Sequence, residues 1–183
     1  MKIILILFFL LTLSKSALSS IKEDIISNLK KTKNISFSFE QNINGKIEVG
    51  DCIIQYPRKI FCKYNQANDK ILVSNGKSLV IKTKSGSYYR YSIKKTPLNY
   101  ILDKEFLINE IKIQKERIID NKFINFTILR NDNEINVFFD KNNFNLIGWQ
   151  TLDIYQNLNI TYVHSLKKNQ ILEKNIFKLP EAN

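Results

Sequence analysis

Cys52, Cys62 and His164 are the side chains of this chain best suited to chemistry: a disulfide, a metal site, or a base paired with a nucleophile. Catalysis of the Ser-His or Cys-His kind would have to use His164, the one histidine, which sits in a strand-like run beside Tyr162 and Val163. Nothing near it in sequence supports that role, and it reads as a partly buried structural residue. A zinc site would need Cys52, Cys62 and His164 to converge. The cysteine spacing favours another pairing. Each lies five residues from Pro57, within Gly50-Asp51-Cys52-Ile53-Ile54-Gln55-Tyr56-Pro57-Arg58-Lys59-Ile60-Phe61-Cys62-Lys63-Tyr64. A hairpin folded near that proline sets them opposite one another on one face, within the Cα range of a disulfide. Carboxylates at element ends, Asp103 with Glu105 and Asp132 with Glu134, read as solvated charge. Gly45, Gly50, Gly76, Gly86 and Gly148 are too dispersed for a phosphate-cradling loop. No enzyme is read from these residues, and neither cofactor nor metal is expected.

The elements that would position the cysteines read as follows. Ser20 followed by Glu23 resembles a capping box, and Ile21, Ile25, Ile26 and Leu29 recur at helical spacing, which predicts a helix over 20–31. Strand patterns follow: 35–43, the cysteine hairpin, a second hairpin of Ile71–Ser74 and Ser78–Ile81 around Asn75-Gly76, and Tyr88–Ile93. Thr96-Pro97 suits a helix start, and Leu98, Ile101, Leu102 and Phe106 form an apolar stripe, so one short helix is predicted over 97–108. A meander over 111–119, 123–130, 134–140, 144–152 and 156–164 turns at Asp120-Asn121, Asn131-Asp132-Asn133 and Lys141-Asn142-Asn143. The tail Ile176–Pro180 is expected to dock on an edge. With no linker, repeat or low-complexity stretch, residues 20–183 read as one mainly β domain with helices, of about eleven antiparallel strands.

Lys2, the apolar run Ile3–Leu13 and the small residues Ser16, Ala17, Ser19 and Ser20 have the layout of a secretory signal peptide cleaved after Ser19. The run is well short of the ~20 residues of a spanning helix, although an uncleaved anchor is the other reading. No cysteine adjoins the site to take a lipid anchor. Export also suits a disulfide. Without Lys2 and Lys15 the formal charge falls from +11 to 26 − 17 = +9. A positive protein is drawn to anionic membranes or acidic partners. The lysines are nevertheless scattered along the chain, and secretion argues against nucleic acid. Asn34-Ile35-Ser36, Asn125-Phe126-Thr127 and Asn159-Ile160-Thr161 match glycosylation acceptors but read as chance in so asparagine-rich a chain.

Several segments together carry a resemblance: Phe39-Glu40-Gln41, Gly50, Tyr56 through Tyr64, Ser74-Asn75-Gly76-Lys77-Ser78-Leu79, Thr96-Pro97-Leu98 through Leu102, and Leu146-Ile147-Gly148-Trp149. In order and spacing they resemble the periplasmic outer-membrane lipoprotein carrier family, LolA, over nearly all of the chain after the leader. The resemblance implies an antiparallel incomplete β-barrel whose apolar concave face is covered by a helical lid. It implies an acyl-chain cavity lined by Ile60, Cys62 and Tyr64, with Leu79 and Ile81 beside them, under lid residues Leu98, Ile101 and Leu102. The family pattern reads roughly arg-pro-gly-lys-phe-arg-trp-glu-tyr over Tyr56 to Tyr64. Tyr56 thus replaces an arginine whose implied role is to latch the lid, and Arg58 would point to the other strand face if the register holds. Cys62 replaces a tryptophan, so the disulfide is expected to compensate for lost packing.

The implied function is that of a soluble, monomeric periplasmic carrier. It would take lipoproteins from an inner-membrane ABC release complex to an outer-membrane acceptor, with the lid closed when empty and open when loaded. A carrier of another amphiphile, a glycolipid or an anionic lipid, is the alternative on the same fold. The acceptor of the same pathway shares that fold, but the missing anchor cysteine argues against that role.

Overall fold

The computed structural model describes residues 20–65, 69–130, 133–152 and 156–182; the expected signal peptide over 1–19 and the Asn131-Asp132 part of a turn lie outside them. Helix α1 spans Ile21–Lys31. Ser20 Oγ accepts the Glu23 backbone N–H and Glu23 accepts that of Ser20, so the predicted capping box closes. Glu23 and Asp24 stand in its first turn and Lys30 and Lys31 in its last, as the helix dipole prefers. Ile25 and Leu29 are its buried face.

Eleven antiparallel strands form one open sheet. The first six are β1 Asn34–Ile43, β2 Lys46–Gln55, β3 Lys59–Tyr64, β4 Ile71–Asn75, β5 Ser78–Lys82 and β6 Tyr88–Ser92. The others are β7 Arg117–Ile119, β8 Phe123–Arg130, β9 Asn133–Asp140, β10 Leu146–Leu152 and β11 Leu158–Lys168. Their order is β6-β5-β4-β3-β2-β1-β11-β10-β9-β8-β7. The chain lays down β1 to β6 outward from the centre, then starts again at the far edge and works back to β1. The segment between β6 and β7 therefore has to cross a face of the sheet. That inner face carries the helices and the main core, with Phe37, Phe39, Ile54, Ile60, Phe126 and Phe139 among its buried residues.

The crossing segment differs from the single predicted helix. A 3-10 turn at Ile93–Lys95 leads to α2, Leu98–Ile101, and then to α3, Lys104–Ile113. The break falls at Asp103, whose Oδ1 accepts the Phe106 N–H at 3.1 Å and so caps α3. Helix α3 then buries Leu107, Ile108 and Ile111 at helical spacing. That leaves only Arg117–Ile119 of the strand expected from 111. Strand β11 runs four residues past its expected end because Lys167 and Lys168 still pair with Ser36 and Ile35 beyond a bulge. The turn between β4 and β5 has Gly76 and Lys77 at its centre. Gly76 takes φ +94, while Asn75 Oδ1 accepts the N–H groups of Lys77 and Ser78. The tail reaches past the edge on to the outer face. Lys82 Nζ and the Tyr88 hydroxyl donate to the carbonyls of Glu181 and Pro180, and Lys59 stands over the Phe177 ring.

Cys52 pairs directly with Cys62 and the two are disulfide-bonded, with Cα atoms 4.1 Å apart. Both sulfurs are buried on the inner face. Gly50, two residues away, packs so tightly that a Cβ would lie 2.2 Å from the Lys63 carbonyl and 2.9 Å from the Phe39 ring. The short loop closed by the disulfide stabilises the fold by roughly 2–3 kcal/mol. Urea unfolding of the Cys52→Ala/Cys62→Ala double variant should show a loss of that size. A midpoint unchanged from the parent would remove the stapling role.

Candidate functional site

Period-two alternation puts Gln41 and Ile43 of β1, Tyr64 of β3, Leu72 of β4, and Leu79 and Ile81 of β5 on the inner face, at the end of the sheet away from α1 and α3. Between these residues and α2 lies a cavity of about 260 Å³. Tyr64, Leu79, Ile81 and Leu98 line it together with Leu72, Tyr91, Pro97 and Trp149. Ile60 and Cys62 lie in the packed core instead, as do Ile101 and Leu102, both wholly buried. Tyr56 lies apart from the cavity, beside α1 with Leu29 and Thr32. Burial raises its hydroxyl and that of Tyr64 far above the ordinary tyrosine range, so both stay neutral.

One arginine holds the crossing segment down. The Arg58 guanidinium pairs with the Asp103 carboxylate at the α2–α3 break. The Arg58 backbone N–H also donates to the Leu102 carbonyl at 2.8 Å, and its own carbonyl accepts the Ser74 hydroxyl at 2.8 Å. This corrects the expectation that Arg58 points away. It precedes the first residue of β3 and takes φ +62, so strand alternation does not apply to it. Asp103 serves two partners at once, with Oδ1 on the α3 N-terminus and Oδ2 on Arg58.

The cavity is polar at one side. Tyr64 OH donates to Gln41 Oε1 at 3.2 Å, and Gln41 Nε2 donates to Asn159 and Thr161 at 3.0 and 3.2 Å. Lys70 Nζ stands 3.7 Å from the centre of the Tyr64 ring and pairs with Glu48, which Lys46 also approaches at 3.2 Å. Burial pushes the Glu48 carboxyl up, but the hydrogen bonds and charges of Lys70 and Lys46 outweigh it and hold the group below its ordinary value. Sequence reading missed Lys70, Glu48 and Gln41 as a group. Gln41 and Glu48 come from β1 and β2 and Lys70 from the residue before β4, and only the pairing of the strands brings them together.

His164 is exposed on the outer face of β11, opposite Ser38, rather than partly buried. The cysteines face inward, so Cys52, Cys62 and His164 do not converge. No cluster of three metal-ligating side chains forms among the described residues.

A sequence model of the family described as the outer membrane lipoprotein carrier protein LolA matches residues 30–180. The chain belongs to the LolA family. No curated protein matches the sequence. Among solved structures, an uncharacterized conserved protein from Thermus thermophilus is similar at 8% identity, with 88% of this chain and 93% of that one covered and a TM-score of 0.51. MucB is similar at 9% identity, with 92% of this chain and 65% of that one covered and a TM-score of 0.51. A LolA superfamily protein from Nitrosomonas europaea shares 8% identity over 88% of this chain and 99% of that one, at a TM-score of 0.46. At such identity the first two establish a common fold and nothing further.

Set against the LolA pattern, Arg58 occupies the place of the glycine, two residues after the place of the arginine, and keeps the left-handed backbone that a glycine adopts freely. For a non-glycine residue that conformation costs on the order of 1 kcal/mol. Three contacts to the crossing segment and to β4 hold it there.

Two outcomes follow. Arg58→Leu, which removes the ion pair but keeps the side-chain bulk, should destabilise the protein by about 1–2 kcal/mol and speed proteolysis between residues 96 and 103; unchanged cleavage there would discard the latch. Because Glu48 is held below its ordinary value of 4.5, its pairs stabilise the fold above that pH and lose this contribution as the pH falls through the lower folded value. Glu48→Gln should therefore be less stable than the parent in urea at neutral pH, with the gap closing in acid. A gap that is constant with pH would contradict the assignment.

Proposed function

We propose that this protein is a periplasmic carrier that shields the acyl chains of lipoproteins on their way from the inner to the outer membrane. It would receive them from an inner-membrane ABC release complex and pass them to an outer-membrane acceptor. The observation that supports this is an apolar inner face whose central cover, Ile93 to Leu102, pairs with no strand and is fastened by the Arg58 latch.

Magnitudes bear on how such a carrier would work. A 150 Å³ apolar cavity takes one benzene, so about 260 Å³ holds no full acyl chain until α2 withdraws. Withdrawal exposes Ile93, Ile101 and Leu102, all wholly buried, at about 1.5–3 kcal/mol each and roughly 5–9 kcal/mol in total. One acyl chain of ~15 methylenes contributes roughly 12 kcal/mol on burial. A single chain thus offsets opening, and three exceed it several-fold. Empty, the protein closes; loaded, it opens. Those gains are counted from water; for chains that leave a membrane the two burials nearly cancel, so the transfer has only the cost of opening to meet, and it needs no catalytic step and no cofactor.

The polar side of the cavity favours one second reading, a carrier of a different amphiphile whose head group meets Gln41 and Lys70. Lipid mass spectrometry of gently purified protein separates the two by the species that travels with it. For the lipoprotein reading, Ile101→Glu and the half-buried, cavity-lining Leu98→Glu should each lower transfer of a triacylated peptide at least about tenfold, since a buried carboxylate opposes apolar cargo. Leu98→Glu guards against a simple folding failure. Full transfer by Leu98→Glu in folded protein would remove the proposed cavity.

A further inference from the structure

We infer that the β6 edge of the sheet, whose Tyr91 lines the cavity, docks on an anionic lipid bilayer surface. The inference stands on the surface itself and not on which cargo the cavity takes. From Lys70 to Leu102 the chain has no acidic residue, while Lys77, Lys82, Lys84, Arg90, Lys94 and Lys95 follow one another through β5, β6 and the start of the crossing segment. What sets this stretch apart is that its basic residues have no acidic neighbour within it in sequence. Lys77, Lys84, Arg90, Lys94 and Lys95 are exposed. The chain that follows, across the inner face to the opposite edge at β7, differs. From Asp103 to Asp120, through α3 and β7, Asp103, Glu105, Glu110, Glu116 and Asp120 alternate with Lys104, Lys112, Lys115 and Arg117.

Some of this charge is engaged locally. Lys84 approaches Asp69 at 3.5 Å with both side chains largely exposed, a pair that salt and lipid phosphates would screen. Arg90 donates to the Ser78 hydroxyl, which leaves its charge uncompensated. Lys82 donates to the Glu181 backbone carbonyl. Basic residues also protect a bare sheet edge from pairing with another, but that does not account for the tyrosines. Tyr89 is 52% and Tyr91 36% exposed, both on the inner side of β6, and Tyr91 lines the cavity. An apolar ring with a polar tip, flanked by lysines, is the side-chain combination that settles at the head-group level of a bilayer. An acidic protein surface would satisfy the lysines without needing those rings. A bilayer needs both.

The exported protein, mixed with phosphatidylcholine vesicles with or without phosphatidylglycerol at low ionic strength, provides the test by co-sedimentation. Binding should require phosphatidylglycerol and fade as salt rises. Lys94→Gln/Lys95→Gln should weaken it roughly fivefold per lysine, about twenty-five-fold together. Lys112→Gln/Lys115→Gln, an equal loss of exposed charge on the other half, should change it far less. Tyr89→Ser/Tyr91→Ser should also weaken binding, at constant charge. Protein that ignores phosphatidylglycerol vesicles overturns the inference and points the basic edge toward an acidic protein instead. Equal losses in the two lysine pairs, or tyrosine variants that bind as the parent does, overturn it as well.

Discussion

A sheet order that puts β6 and β7 at opposite edges forces the chain between them across the inner face. Every other connection between the described strands joins neighbours, so what lies over the inner face is α1 and this connection. Because it crosses the strands instead of pairing with them, its backbone satisfies itself in short helices. Its adhesion rests on Ile93, Ile101, Leu102 and the α3 stripe rather than on a ladder of hydrogen bonds.

The latch and the disulfide show how one hairpin can be rebuilt around a constant geometry. Between β2 and β3, the LolA pattern places an arginine before the proline and a glycine after it. Here the arginine stands in the glycine position and reaches the same crossing segment from a left-handed turn residue. Five residues either side of that proline, where the core would otherwise depend on large side chains, a covalent bond joins the strands. The aromatic edge contact of Phe39 with Tyr64, at 5.1 Å, packs beside it over Gly50. The two substitutions act on different things, one on the attachment of the crossing segment and the other on the joining of β2 to β3 beneath it.

The two faces of the sheet divide the work. The inner one carries the cavity, its polar margin and the cover. The outer one carries the C-terminal tail and His164. Asn125, one of the glycosylation acceptors, is 1% exposed and hydrogen-bonded to Asn136, so a folded chain has no room for a glycan there.

What the sequence determined by itself was local. Mirrored cysteines around Pro57 are enough to set a hairpin register, because side chains on paired strands repeat every two residues and each partner is counted from the turn. Ser20 with Glu23 sets a helix start for a similar reason, and the alternation of Phe37 with Phe39 sets a strand. Tertiary structure decided whatever depends on where distant segments meet. Arg58 was misplaced because strand alternation stops one residue before β3. The helix over 97–108 divided because Asp103 found both a cap to make and a cation to pair with across 45 positions of sequence. Ile111 fits a strand start and a helix face alike, and only burial beside Leu107 and Ile108 chose the helix. The basic edge was only half legible: the run from Lys70 to Leu102 without an acidic residue stands in the sequence, but its charges become a surface only when the strands that carry them are stacked side by side.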